Sequence, residues 1–318
     1  MKAAFVAVLG RPSAGKSTLV NQICGGKVSI VSEVPQTTRN AIRGIANRAQ
    51  GQLVFVDTPG RHHSDKKMNK KLMDVSQRAL MESDLILYVM DTTRPPGEEE
   101  AELAGLLAPV AERTVAALNK TDAPAADCRR ARDFLARNLP VLSADRCFEI
   151  SAKNNTGIDP LLAALFAMSP EGEPFYGSEY YTDQETDFRI AEIIREQAIN
   201  RLREELPHAL YVQVADTELR NAGKLGLTQA GTDEGGELPG QGSLRTRPVL
   251  WVRAFIIVER ESQKGMVVGK GGEMIKAIRQ ASQKELAKIF DWKIELDLRV
   301  KTGKDWRHKD HVLRKIIG

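Results

Sequence analysis

The chain has 318 residues, 42% of them hydrophobic and 28% charged, with a formal net charge of +4, a length that exceeds one ordinary α/β core and suits two domains of roughly 150 residues each. No run approaches the ~18 apolar residues that span a bilayer, and Met1-Lys2-Ala3-Ala4-Phe5 leads into a strand-like segment without a signal-peptide cleavage pattern, which argues against integral membrane and secreted classes. Three cysteines (Cys24, Cys128 and Cys147) share no metal-ligand spacing and read as reduced cytosolic thiols.

Residues 3–9 form a short apolar run ending at a glycine, as a buried parallel strand does. Gly10-Arg11-Pro12-Ser13-Ala14-Gly15-Lys16-Ser17 follows at once, with a helix expected from Thr18 onward. This is the G-x-x-x-x-G-K-[ST] pattern in its proper strand-to-helix context. Gly10, Ser13 and Gly15 let backbone N–H groups curl around a β-phosphate, and the helix N-terminus carrying Thr18 adds its positive dipole end. Lys16 is expected on the β/γ-phosphates and the Ser17 hydroxyl on Mg²⁺.

Pro35-Gln36-Thr37-Thr38-Arg39 lies in the long connection before the next strand, and Thr38 is the expected third Mg²⁺ ligand when GTP is bound. Residues 42–47 and 53–56 flank Gln50-Gly51 and are expected to pair as an antiparallel edge. Asp57-Thr58-Pro59-Gly60 closes the second of these strands: Asp57 can hold the Mg²⁺ shell, and Gly60 can offer its N–H to the γ-phosphate. A helix is expected over 68–81, strands over 85–90 and 114–118, a helix over 125–135 and a weaker strand over 147–150. Strands alternating with helices imply a mostly parallel sheet covered on both faces.

Asn119-Lys120-Thr121-Asp122 follows the strand at 114–118. The Asp122 carboxylate can accept from guanine N1 and its exocyclic amine, a donor pair adenine lacks; Asn119 can meet the other base edge and the stem of Lys120 can lie across the base. Ser151-Ala152-Lys153 is placed to give guanine O6 a backbone N–H. Together these motifs specify a guanine nucleotide, GTP or GDP.

Residues 1–170 are therefore read as the nucleotide domain, and 171–186, with its Pro, Gly and aromatic residues, as a linker. Residues 187–318 form the second domain, opening on an amphipathic helix with Phe188, Ala191, Ile194, Ala198, Leu202 and Leu206 on one stripe. Strands are expected at 209–215 and 249–258, separated by 217–248, whose seven glycines suit a flexible insertion. A Gly269-Lys270-Gly271-Gly272 turn, a helix over 273–290, a strand over 293–301 and a basic tail complete the chain. Residues 249–318 carry 16 Lys/Arg against 9 Asp/Glu, whereas the remainder carries 30 against 33. Such asymmetry suits either a polyanion partner or a solvated basic surface.

The quoted motifs, Gly-Arg-Pro-x-x-Gly-Lys-Ser, Gln-Thr-Thr-Arg, Asp-Thr-Pro-Gly and Asn-Lys-x-Asp, resemble the Era branch of translation-factor-related GTPases. Residues 187–196, Glu205-Leu206-Pro207-His208, residues 258–265 and Trp306-Arg307-His308-Lys309 extend the likeness over nearly the whole chain except 217–248. The resemblance implies a P-loop GTPase domain followed by an α+β KH domain of the bacterial type II. Its glycine turn (Gly269, Lys270, Gly271, Gly272) would meet the sugar-phosphate chain of single-stranded RNA, with Lys276, Arg279 and Lys301 as phosphate contacts. It implies as partner the small-subunit ribosomal RNA near its 3′ end, and slow GTP hydrolysis in which Lys16, Thr38 and Gly60 take part, in small-subunit assembly in the cytoplasm. A GTP-controlled RNA scaffold with negligible hydrolysis stays open, because Arg61 stands where Ras-like proteins carry a catalytic glutamine. Ser13 stands where Era-like sequences carry an asparagine that helps bind potassium, so only weak K⁺ activation is expected. A monomer is expected, and peripheral membrane contact stays open.

Overall fold

The structure, a computed structural model, describes residues 1–32, 34, 39–58, 77–220 and 248–317. The sequence-expected ligands Thr38 and Gly60, and Arg61, lie outside the described residues, as do most of the helix expected at 68–81 and most of the expected insertion.

The described chain divides into two compact units. The first holds a six-stranded sheet in the order β2-β3-β1-β4-β5-β6. Its strands are β1 (Lys2–Leu9), β2 (Ile42–Arg48), β3 (Gly51–Asp57), β4 (Leu85–Asp91), β5 (Thr114–Asn119) and β6 (Cys147–Glu149). All neighbours are parallel except β2 and β3, which pair antiparallel around the Gln50-Gly51 turn as the sequence indicates. Strands β3, β4 and β5 are buried along their whole length, which is why they read as unbroken apolar runs. Helices α1 (Lys16–Cys24), α2 (Glu98–Leu107) and α3 (Cys128–Asn138) lie between strands, and α4 (Ile158–Met168) follows β6. The sequence reading missed α2 and α4. The first turn of α2 is Glu98-Glu99-Glu100, a polar start that hides the apolar stripe Leu103, Ala104 and Leu107.

Residues 171–185 belong to this first unit and do not form a free linker. They lie along β2: Tyr181 O accepts from Ile45 N at 2.9 Å, and Ser178 O and Tyr180 O accept from Asn47 Nδ2 at 3.1 Å. Gln52 fixes the middle of the segment, donating to Tyr176 O and accepting from Phe175 N, both at 2.8 Å. Phe175 meets Phe5 with ring centroids 4.5 Å apart. A strap of this kind covers an otherwise unpaired sheet edge. Residues 305–318 also group with the first unit, so the second domain ends before the boundary expected at 318. Trp306 and Leu313 are buried there, and the Arg39 guanidinium lies 5.5 Å from the Trp306 ring centre.

The second unit, Thr186–Lys304, contains α5 (Thr186–Ile199), β7 (Leu210–Arg220), β8 (Val249–Val258), α6 (Glu261–Val268), α7 (Glu273–Ile289) and β9 (Lys293–Thr302). Its sheet runs β7-β8-β9, antiparallel then parallel. Helix α5 stops at Ile199, short of the expected stripe, although Leu202 and Leu206 are still buried beyond it. Ile190, Ile194, Ile278 and Leu286 from α5 and α7 pack on Val252, Ala254, Leu296 and Leu298 of one sheet face. Strand β7 is longer than expected. Residues 217–220 pair with β8 after a bulge between Val214 and Asp216, so they are strand and not insertion; an exposed strand of Thr-Glu-Leu-Arg offers little apolar signal.

Candidate nucleotide and RNA sites

The phosphate-binding loop joins β1 to α1 at the carboxyl end of the parallel strands, where open α/β sheets place their ligands. Two glycines are sterically required there. A Cβ on Gly10 would sit 2.3 Å from Val89 O, and one on Gly15 would sit 2.3 Å from Asn119 Nδ2. Ser13 also holds a positive φ of 62°, with its side chain exposed. Lys16 is buried at the helix start, and its Nζ donates to Gly10 O at 2.8 Å and Arg11 O at 3.0 Å. Burial lowers its pKa, against the pull of Asp57, Glu100 and Glu99. Thr18 is half-buried in the first turn of α1.

Asp57 ends β3 fully buried, and Ser17 Oγ donates to its Oδ2 at 2.8 Å. Among the described residues its buried Oδ1 has no hydrogen-bond partner. Burial raises the Asp57 pKa, while the Lys16 charge and the Ser17 and Ser29 hydroxyls pull it down. A hydroxyl and an unpaired carboxylate oxygen side by side are hard donors that fit Mg²⁺.

The base side gathers around β5. Asn119 is buried, and its amide is committed to the protein: Nδ2 donates to Ala14 O at 2.9 Å, and Oδ1 accepts from Ala152 N at 3.0 Å. Asn119 therefore staples the phosphate loop to the Ser151-Ala152-Lys153 turn, a role that spacing alone does not reveal. Asp122 is exposed, and its Oδ1 accepts from Ser151 Oγ at 2.6 Å. That bond, with smaller help from Lys153 and Lys120, lowers its pKa and keeps it an acceptor. Lys120, at φ 72°, donates from Nζ to Asp91 Oδ2 at 2.8 Å. Burial works to raise the Asp91 pKa, yet bonds from Lys120 and Thr93 hold it at about 2. Asp91 is a residue the sequence reading missed. Its signal was an acidic residue closing an apolar strand, as Asp57 closes β3.

Asp122→Asn is expected to reverse base choice, because the amide presents a donor where guanine also presents one. Losing that charged contact costs about 1.5–3 kcal/mol of GDP affinity and favours xanthosine diphosphate. Competition titration checks this, and unchanged GDP binding would reject the assignment.

In the second unit the glycine turn links α6 to α7. Gly269, Gly271 and Gly272 all have positive φ, and Lys270 is exposed. Lys276 and Arg279 are exposed at i, i+3 spacing on α7, with Ile278 buried between them. Lys301 is not brought to them. In β9 it alternates with the inward Leu298 and Val300, and its Nζ lies 3.4 Å from the Phe255 ring centre on the sheet face away from α7.

Comparison with known proteins matches residues 5–120 to the family described as 50S ribosome-binding GTPase and residues 249–307 to the KH domain family. GTPase Era of Treponema denticola is 48% identical over 316 residues, covering 99% of both chains. The chain belongs to the Era family of GTPases. Era of Borreliella afzelii is 39% identical over the full length of both. Among solved structures, a tyrosine-to-alanine variant of Aquifex aeolicus Era bound to GDP and AlF4⁻ superposes with a TM-score of 0.85 at 29% identity, covering 99% of this chain and 98% of that one. Era in complex with MgGDPNP and nucleotides 1506–1542 of 16S ribosomal RNA has the same score, identity and coverage. The GTPase and KH assignments made from sequence are thus borne out. No described helix is long and apolar enough to cross a membrane.

Proposed function

We propose that this Era-family chain hydrolyses GTP to GDP and phosphate and binds the 3′ end of 16S ribosomal RNA through its KH turn, acting in small-subunit assembly in the cytoplasm. The observation that carries the reading is one chain joining a guanine-reading Asp122, braced by Ser151, to an open Gly269–Gly272 turn. Lys16 would neutralise the β- and γ-phosphates, while Ser17 and Asp57 would hold Mg²⁺, which when bound supplies charge stabilisation at the bridging oxygens. Asn119 holds the phosphate loop and the Ser151 turn at a fixed separation, and so sets the spacing between base and phosphate subsites. Thr38 completes the proposed metal set from sequence alone. One matched family is described by the 50S particle, but the KH domain and the Era complex with 16S RNA favour the small subunit.

Single-turnover hydrolysis, measured with and without a 16S 3′-end oligonucleotide, tests the proposal. Mg²⁺-dependent GTP cleavage and specific binding of that RNA are expected. Binding of GTP without cleavage under either condition would leave a nucleotide-controlled scaffold and remove the enzyme.

A further inference from the structure

Two arginines cross in opposite directions between the phosphate loop and the turn that follows β4. Arg11 leaves the loop and donates to the carbonyls of Asp91, Arg94 and Pro95, each at 3.2 Å. Its Nε also pairs with Glu100 Oε1 at 3.1 Å, with both side chains buried. Arg94 runs the other way. Its Nη2 donates to Pro12 O at 3.0 Å, and its Nε donates to Asp91 Oδ2 at 3.1 Å. That same Asp91 oxygen holds Lys120 Nζ at 2.8 Å.

We propose that Arg94 is a positioning residue that couples the base-side Lys120 to the phosphate loop, so that base and phosphate contacts strengthen one another. The inference rests on the nucleotide site proposed above. Its path is continuous: Pro12 carbonyl, Arg94 guanidinium, Asp91 carboxylate, Lys120 ammonium. The guanidinium reaches Pro12 O and Asp91 Oδ2 from two separate nitrogens held in one plane, a geometry that lysine, a point charge on a flexible stem, does not hold rigidly. Pinning the Pro12 carbonyl also fixes the Ser13 N–H, which is trans to it in the same peptide plane. Backbone N–H groups are what such a loop offers to phosphate, so their direction is set before the ligand arrives and less ordering remains to be done on binding. Arg11 holds the far side of the clasp, fastening three carbonyls of the 91–95 turn and leaving Arg94 a rigid base. The Arg94 side chain is itself 49% exposed, so its loss disturbs the core little.

The test is a double-mutant cycle on release of fluorescent GDP from the full chain: the unmodified protein, R94A, K120A and R94A/K120A. Interaction energies between linked residues correspond to roughly a tenfold rate change. R94A is expected to speed GDP release about tenfold, and to act several-fold less in the K120A background, where the link to the base side is cut while the Pro12 contact remains. R94K, keeping charge without the fork, is expected between the unmodified protein and R94A, and it gives the same reading should R94A fail to fold. An equal effect of R94A in both backgrounds would show that Arg94 only props the loop, which overturns the coupling. GDP release unchanged in R94A overturns it as well. Failure of the unmodified protein to bind GDP would instead reject the nucleotide site itself.

Discussion

Lys16→Ala is expected to abolish useful binding of GDP and GTP together, lowering affinity by about 4 kcal/mol, or roughly a thousandfold. An ammonium has three donors, and Gly10 O and Arg11 O take two of them, aligning the group at the start of α1. Burial makes the charge costly, which is why its pKa is lowered. An incoming polyphosphate relieves that cost, and alanine has nothing to relieve. The damage extends to the metal side. Lys16 is the charge that opposes the rise burial imposes on the Asp57 pKa, so its removal lets Asp57 take a proton more readily and weakens Mg²⁺ binding further. Titration with fluorescent GDP and a non-hydrolysable GTP analogue, across a range of Mg²⁺, measures both effects. Affinity within threefold of the unmodified protein would remove Lys16 from the phosphate site.

Much of this site was legible because its chemistry is local in sequence. Its motifs other than the one carrying Thr38 each close an apolar strand, and strands buried on both faces leave plain runs such as Leu85–Asp91. Side chains that act across loops were not legible. Arg11 reaches Asp91 across 80 residues and Arg94 reaches Pro12 across 82, both through main-chain carbonyls that carry no sequence signature. Asn119 was visible as a motif residue, but its two backbone partners were not. The strap at 171–185 was misread for a related reason. Its Pro, Gly and aromatic composition is that of a linker, and only the edge of β2 gives its carbonyls partners. Lys301 shows the converse: a basic residue near a recognised motif, turned by strand alternation to the other face.

Gly271→Asp is expected to remove RNA binding while leaving fold and nucleotide affinity intact. Gly271 sits at φ 59°, ψ 16°, a left-handed conformation that Asp and Asn enter more readily than other residues. A Cβ built there meets nothing within 4 Å, so a side chain adds no clash. The expected strain is about 1 kcal/mol. The new carboxylate would project from the turn proposed to lie against the sugar-phosphate chain, where like-charge contact costs several kcal/mol, a loss of roughly a hundredfold or more. Gly271→Asn separates charge from shape, since it enters the same conformation without the charge, and should retain most of the affinity. Gly269 supplies the opposite control. A Cβ there would lie 2.7 Å from Met274 Cβ and 2.9 Å from Met274 N, so Gly269→Asp should disturb the start of α7 and lower thermal stability as well. The decisive comparison is therefore Asp against Asn at Gly271, read as affinity for the 16S 3′-end oligonucleotide over a salt series. Added salt should narrow the gap between them, because screening weakens a charge–phosphate repulsion. Equal binding by the two variants would mean that this turn does not face the RNA backbone.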